Sequence, residues 1–168
     1  MITLILGGNK SGKSDYALSR LAAAPGPSLF VATGKARDAS FREQIMKHRR
    51  ERAADLPVLE VGPGLPASLG QAKEVYKSIL VDSLDFWLFA CREAGREDAA
   101  GDLLRRLERW SGPDLYLVSC EIGLGPLPAT SESRAFIREL GSLNTAVARI
   151  ADEAVLVAAG LPLTLKPR

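Results

Sequence analysis

With 168 residues, 46% of them hydrophobic and 25% charged, the chain has the composition of an ordinary globular domain, which excludes a disordered or fibrous polymer. A formal net charge of +2 is too small to imply a nucleic-acid partner. The length predicts one domain spanning residues 1–168, burying roughly 70% of the surface its unfolded chain would expose. Cys91 and Cys120 form no C-x-x-C pair, which reads as a reduced, cytoplasmic setting. No apolar run reaches the roughly 18 residues of a membrane span. The opening "MITLIL" lacks the charged flank and cleavage site of a signal peptide, and reads as a buried strand.

That strand, Ile2 to Leu6, runs into "LILGGNKSGKS", which fits G-x-x-x-x-G-K-[ST] with Gly7, Gly12, Lys13 and Ser14 at the fixed positions. An amphipathic stretch follows, in which Tyr16, Ala17 and Leu21 point inward. A second strand is expected over Leu29 to Ala32. Ser40 with Glu43 forms a capping box and predicts a helix from Phe41 to Ala53. Gly and Pro between Gly62 and Gly70 predict a loop. The run Ile79 to Val81 reads as a strand ending in "ILVDS", after which Asp82 or Ser83 caps the helix "LDFWLFACREA". Leu115 to Val118 is a strand leading into "VSCEIGLGPLP". From Ser131 to Asp152, the spacing of Phe136, Leu140, Leu143, Val147 and Ile150 predicts a long helix capped by Ser131 or Ser133. Ala154 to Val157 is the last buried strand, and "VLVAAGLPLTLK" closes one sheet edge as a hairpin. Short β-branched strands alternating with helices predict an α/β fold with a mostly parallel sheet.

Three stretches carry chemistry. In the first, glycines turn backbone N–H groups toward phosphate oxygens, Lys13 reaches the terminal phosphates and the Ser14 hydroxyl is a ligand for Mg²⁺. Asp82, at the carboxyl end of a strand on the same edge, supplies an acid that supports the metal; its role as a helix cap is compatible with this. In the second, "MKHRRER", Lys47, Arg49, Arg50, Arg52 and His48 put five cationic or potentially cationic groups within six residues. Such a run is either a solvated face or a phosphate site, in which like charge favours a neutral, nucleophilic imidazole. The third, Val118 to Pro128, is either a plain connection or a substrate loop built on Glu121, Gly123 and Gly125, with Glu121 able to accept a proton from a substrate hydroxyl.

"GGNKSGKS", "VATGK", "HRRER" followed by Glu60, "ILVDS", and "VSCEIGLGPLP" leading through "FIRELGSLNTAVARIADEAVLVAAGLPLTLK" together resemble the bifunctional adenosylcobinamide kinase/adenosylcobinamide-phosphate guanylyltransferases of cobalamin biosynthesis, from end to end. The resemblance implies a P-loop NTPase-like (RecA-like) fold and two steps. A nucleoside triphosphate, ATP or GTP, phosphorylates the aminopropanol hydroxyl of adenosylcobinamide. GMP then passes from GTP through a covalent histidine to adenosylcobinamide phosphate, giving adenosylcobinamide-GDP. His48 matches the guanylylated histidine, and Arg49, Arg50, Glu51 and Arg52 match the nucleotide-contacting segment after it. Glu60 matches a glutamate of the GTP site, Ala32, Thr33 and Gly34 match a nucleotide-contacting turn, and Gly7, Gly8, Asn9, Lys10, Ser11, Gly12, Lys13 and Ser14 form the phosphate loop. Ser14 and Asp82 would hold Mg²⁺, and the family is homotrimeric. The chain departs from the family pattern in Ala53 after Arg52, in Asp82 where glutamate is more usual, and in Cys120 where asparagine is common.

Two other readings fit the same loop. One is a monofunctional P-loop small-molecule kinase without the histidine intermediate, the other a non-catalytic GTP-binding module. Against the second, the chain has no N-K-x-D guanine-reading motif.

Overall fold

The computed structural model describes residues 1–33 and 56–168. The helix expected over Phe41 to Ala53 lies outside the described residues, as do Gly34, His48, Arg49, Arg50, Glu51 and Arg52. In chain order the described elements are β1 (Ile2–Gly7), α1 (Lys13–Ala23), β2 (Ser28–Ala32), β3 (Val58–Glu60), α2 (Leu65–Ala72), β4 (Ser78–Asp82), α3 (Leu84–Glu93), α4 (Ala99–Glu108), β5 (Asp114–Cys120), α5 (Ser131–Ile150), β6 (Glu153–Ala158) and β7 (Leu161–Lys166). A 3₁₀ turn, Ile122–Leu124, follows β5.

The strands form one seven-stranded sheet in the order β3-β2-β4-β5-β1-β6-β7. Every pairing is parallel except β6 with β7, the expected closing hairpin. Its turn is Ala159-Gly160 with φ of 52° and 79°, the pair of positive angles that two-residue hairpin turns require. β1, β4 and β5 are apolar along nearly their whole length because helices lie on both faces of the sheet. On one face Leu4, Val31, Ile79 and Leu117 meet Trp87, Leu103 and Leu143 from α3, α4 and α5. On the other, Ile5, Phe30, Leu80 and Val118 meet Ala17 and Leu21 of α1.

Several expectations need correction. Gly62 to Gly70 is not all loop. α2 begins at Leu65, because Pro66 sits in the first helical turn where its missing N–H has no partner to lose, and Leu65, Leu69 and Ala72 bury one face. α5 is capped by Thr130, whose side chain accepts from the Ser133 N–H at 3.1 Å, and not by Ser131 or Ser133. Ser83 occupies the cap position of α3, but its side chain makes no capping bond.

α1 is tied to the far strand by Arg20, which stacks on Tyr16 and Tyr116 and pairs with Glu153 at 2.8 Å. Arg20, with help from Arg168, holds the Glu153 carboxyl below its ordinary value. A depressed carboxylate stabilises the fold fully above the unfolded value of about 4.3, and that contribution is lost as pH falls through the lower folded value. Glu153→Gln should therefore lose stability near neutrality and show a flatter acid limb below about pH 4.3, read by thermal melting across pH.

Candidate active site

All six parallel strands end at one edge of the sheet, and the glycine-rich loop leaves it from the end of β1. Gly7 lies in register with Cys120 of β5 and Val157 of β6. A Cβ at Gly7 would run into the Ser11 Oγ and sit 2.7 Å from the Val157 carbonyl oxygen, so only glycine fits. The loop then turns through Lys10 at φ 54° and Gly12 at φ 92°, the left-handed residue that opens α1. The Ser11 N–H donates to the Gly8 carbonyl at 3.3 Å, and the Gly160 N–H donates to the Ser11 carbonyl at 2.8 Å. A Cβ at Gly12 would stand 3.1 Å from the Gly160 Cα, so the hairpin turn braces the loop from behind. Gly8, Asn9 and Lys10 are exposed at the tip. Lys13 Nζ donates back to the Gly8 carbonyl at 3.2 Å, and Ser14 is the second residue of α1.

Asp82 ends β4, on the α1 side of the sheet, but β4 is not the immediate neighbour of β1. β5 lies between them. Two strand spacings, roughly 10 Å, thus separate the tips of β1 and β4, and Cys120 closes β5 in the gap. Burial pushes the Cys120 thiol up; the charges of Asp85 and Glu121 raise it further and that of Lys13 opposes them. On the other side of β4, Ala32 is in register with both Asp82 and Glu60. Buried Thr33 clamps the chain there: its N–H donates to the Asp82 carbonyl at 3.2 Å, and its hydroxyl donates to the Ser83 carbonyl at 2.5 Å and accepts from the Ser83 N–H at 2.8 Å. Ala32, Thr33, Glu60 and Asp82 are thereby gathered at one corner, with Glu60 exposed.

The loop after β5 is joined to the phosphate loop, for the Glu121 N–H donates to the Gly7 carbonyl at 3.0 Å. Gly125 closes the 3₁₀ turn by donating to the Ile122 carbonyl at 3.0 Å, and Gly123 lies beside the Glu121 carboxylate. Asn144 of α5 is buried and bridges this loop: it accepts from Ser119 Oγ at 2.6 Å and donates to the Cys120 carbonyl at 3.1 Å and to Glu121 Oε2 at 3.4 Å. Sequence reasoning assigned Asn144 no role of its own and marked it only as half of the Leu143–Asn144 pair that carries the family resemblance; it is also a polar residue on a helix face otherwise set to be apolar. Asp85 in the first turn of α3 was missed as well, and its Oδ1 is buried without a hydrogen-bond partner among the described residues. Also among these residues, no group of three or more His, Cys, Asp or Glu is placed to hold a metal. The loop hydroxyl Ser14 with one acid, Asp82, suits Mg²⁺ completed by phosphates and water.

The family described as cobinamide kinase/cobinamide phosphate guanyltransferase matches residues 3–165. The chain belongs to this family. It is 38% identical to the bifunctional adenosylcobalamin biosynthesis protein CobP of Pseudomonas aeruginosa, covering 99% of this chain and 98% of that one. Against the corresponding protein CobU of Salmonella typhimurium it is 26% identical over 99% and 100% of the two chains. A KaiC-like protein of Pyrococcus horikoshii superposes with a TM-score of 0.55 at 15% identity, over 92% of this chain and 69% of that one. The fold is thus the RecA-like form of the P-loop α/β sheet, and the family is one of bifunctional kinase/guanylyltransferases.

The tight seat of Gly7 and the open surroundings of Gly8 make opposite predictions. A Cβ on Gly8 meets nothing within 4 Å. Gly7→Ala should weaken binding of a non-hydrolysable nucleotide by about tenfold or more, since overpacking of about 1–3 kcal/mol must distort the loop. Gly8→Ala should stay within about threefold. Titration calorimetry on the two variants checks both.

Proposed function

We propose that the chain phosphorylates the aminopropanol hydroxyl of adenosylcobinamide and then transfers GMP from GTP to the product, through a covalent histidine, to give adenosylcobinamide-GDP. The observation that carries this reading is the phosphate loop, boxed in by Val157 and Gly160 and facing Asp82 across the tip of β5, in a chain matched to the family over nearly its whole length.

In the first step the backbone N–H groups of Gly8 to Lys13 and the positive end of α1 bind the phosphates, while Lys13 offsets charge on the terminal ones. Mg²⁺, held by Ser14 and through Asp82, would neutralise charge developing between the β- and γ-phosphates. The Thr33 clamp on Ser83 fixes the backbone from which Asp82 projects.

In the second step the imidazole of His48 attacks the α-phosphorus of GTP and pyrophosphate leaves. Arg49, Arg50 and Arg52 hold the oxygens, with Glu51, Glu60, Ala32, Thr33 and Gly34 in the same nucleotide site. The corrinoid phosphate then displaces the histidine. Glu121, Gly123 and Gly125 form the acceptor loop, ATP or GTP serves as phosphoryl donor, and the working form is a homotrimer. No helix among the described residues is long and apolar enough to cross a membrane, and the reading needs neither membrane nor nucleic acid.

Incubation with Mg²⁺ and GTP followed by intact mass measurement should show a gain of one GMP that is acid-labile and absent in His48→Ala. No adduct in the wild type, with nucleotide binding intact, would replace this account by a monofunctional P-loop kinase.

A further inference from the structure

Helices α2 and α4 lie side by side on one face of the sheet, sharing the core through Leu65, Leu69, Leu103 and Leu107. Outside that core a groove of about 480 Å³ opens between them, from Pro63 and Gly64 at the start of α2 to Trp110 just beyond α4. None of its lining residues belongs to the glycine-rich loop. Among the described residues its walls carry five cationic side chains, Lys73, Arg96, Arg105, Arg106 and Arg109, against one acid, Asp102. Arg105 is already matched, its Nη2 donating to Asp98 at 2.7 Å and to Asp102 at 2.6 Å. Lys73 reaches only the exposed Glu74, at 3.7 Å. Arg96, Arg106 and Arg109 make no ion pair among the described residues. Three guanidiniums around one concavity repel each other, and an anion that enters relieves the repulsion.

The groove is shaped around these groups. Glycine is disfavoured inside a helix, yet each wall has one. A Cβ at Gly70 of α2 would stand 2.9 Å from Arg106 Nη1 and 3.2 Å from its Cζ, so the missing side chain lets this half-buried guanidinium lie against α2. At Gly101 of α4 a Cβ would run into Asp98 Oδ1 and sit 3.1 Å from Arg105 Nη1, so that glycine leaves room for the Asp98–Arg105 pair.

We propose that this groove is a second anion site, which takes a short polyphosphate, free or carried by a nucleotide. Charge calls for an anion, and shape chooses among anions. A cavity of this volume suits a small molecule. A nucleic acid or an acidic peptide laid along α4 would meet the carboxylates of Asp98 and Asp102 as well. Guanidiniums grip phosphate oxygens in pairs. Arg106 and Arg109 lie one helical turn apart on the same side of α4, and with Lys73 on the α2 side they provide for more than one phosphate.

Trp110 reports on the groove. Trp87, the other tryptophan, is fully buried, while Trp110 lines the cavity with its Nε1 donating to the Pro113 carbonyl at 2.9 Å. The test is titration of the full chain with inorganic tripolyphosphate and, separately, with GTP, followed by tryptophan fluorescence. It is run on wild type, Trp110→Phe, Lys13→Ala and the double variant Arg106→Gln/Arg109→Gln, with thermal melting of each. The expected result is a saturable change with tripolyphosphate that persists in Lys13→Ala, is absent in Trp110→Phe, and is weakened about tenfold or more in the arginine double variant. The same pattern with GTP supports a nucleotide as the ligand, and a response to tripolyphosphate alone supports the free anion. Should the double variant not fold, Arg96→Gln, at an exposed position, takes its place with a smaller weakening. No saturable response, or a response lost in Lys13→Ala but kept in the arginine variant, would overturn the proposal. So would an equal change with sulfate at matched ionic strength, which marks screening of surface charge.

Discussion

The site depends on a shortage of space. Gly7 lies between the Ser11 side chain and the Val157 carbonyl, and Gly12 stands against the hairpin turn at Gly160. Gly7 has no room for a Cβ and Gly12 little, so side chains are excluded there and the backbone of the loop packs directly against β6 and the hairpin turn. The final hairpin, remote in sequence, therefore has a functional part. Its turn needs two positive φ angles to bring Gly160 within 2.8 Å of the Ser11 carbonyl.

The second constraint is strand order. With β5 between β1 and β4, the phosphate loop and Asp82 face each other across a strand's width, wide enough for phosphates and a hydrated cation. The tip of β5 becomes the floor of the site, and its placement matters accordingly. Asn144 fixes it from the helix face through Ser119, Cys120 and Glu121, while Glu121 is bonded in turn to Gly7. Helix α5, the floor and the phosphate loop thus form one connected unit, in which loss of the Asn144 amide would be felt at the loop.

Much of this was legible before any coordinates. β-Branched runs bounded by turn residues mark buried parallel strands, and the G-x-x-x-x-G-K-S spacing marks the loop, because both patterns follow from local sterics. What escaped is what depends on distant partners. β3 is three exposed residues whose only reason to be extended is its pairing with β2. α2 was masked by glycine and proline, yet Pro66 falls where proline is tolerated and Arg106 lies against Gly70. Thr33 and Asn144 were marked only through the resemblance, and their parts as a clamp on Ser83 and a brace on the β5 loop emerge with their burial, while Asp85 is one acid among 20 Asp and Glu residues until its oxygen is found without a donor among the described residues. The insertion of β5 between the strand that leads into the glycine-rich loop and the strand that ends at Asp82 is a matter of topology, which periodicity does not encode.

The central claim is that one sheet edge, organised around the Gly7 to Ser14 loop, first makes a phosphorylated corrinoid and then consumes it. A single time course with adenosylcobinamide, GTP and Mg²⁺, resolved by chromatography, tests it most directly. The account predicts that adenosylcobinamide phosphate rises first and gives way to adenosylcobinamide-GDP, and that Lys13→Ala produces neither. Formation of adenosylcobinamide-GDP without a phosphorylated precursor, or undiminished phosphorylation by Lys13→Ala, would contradict it.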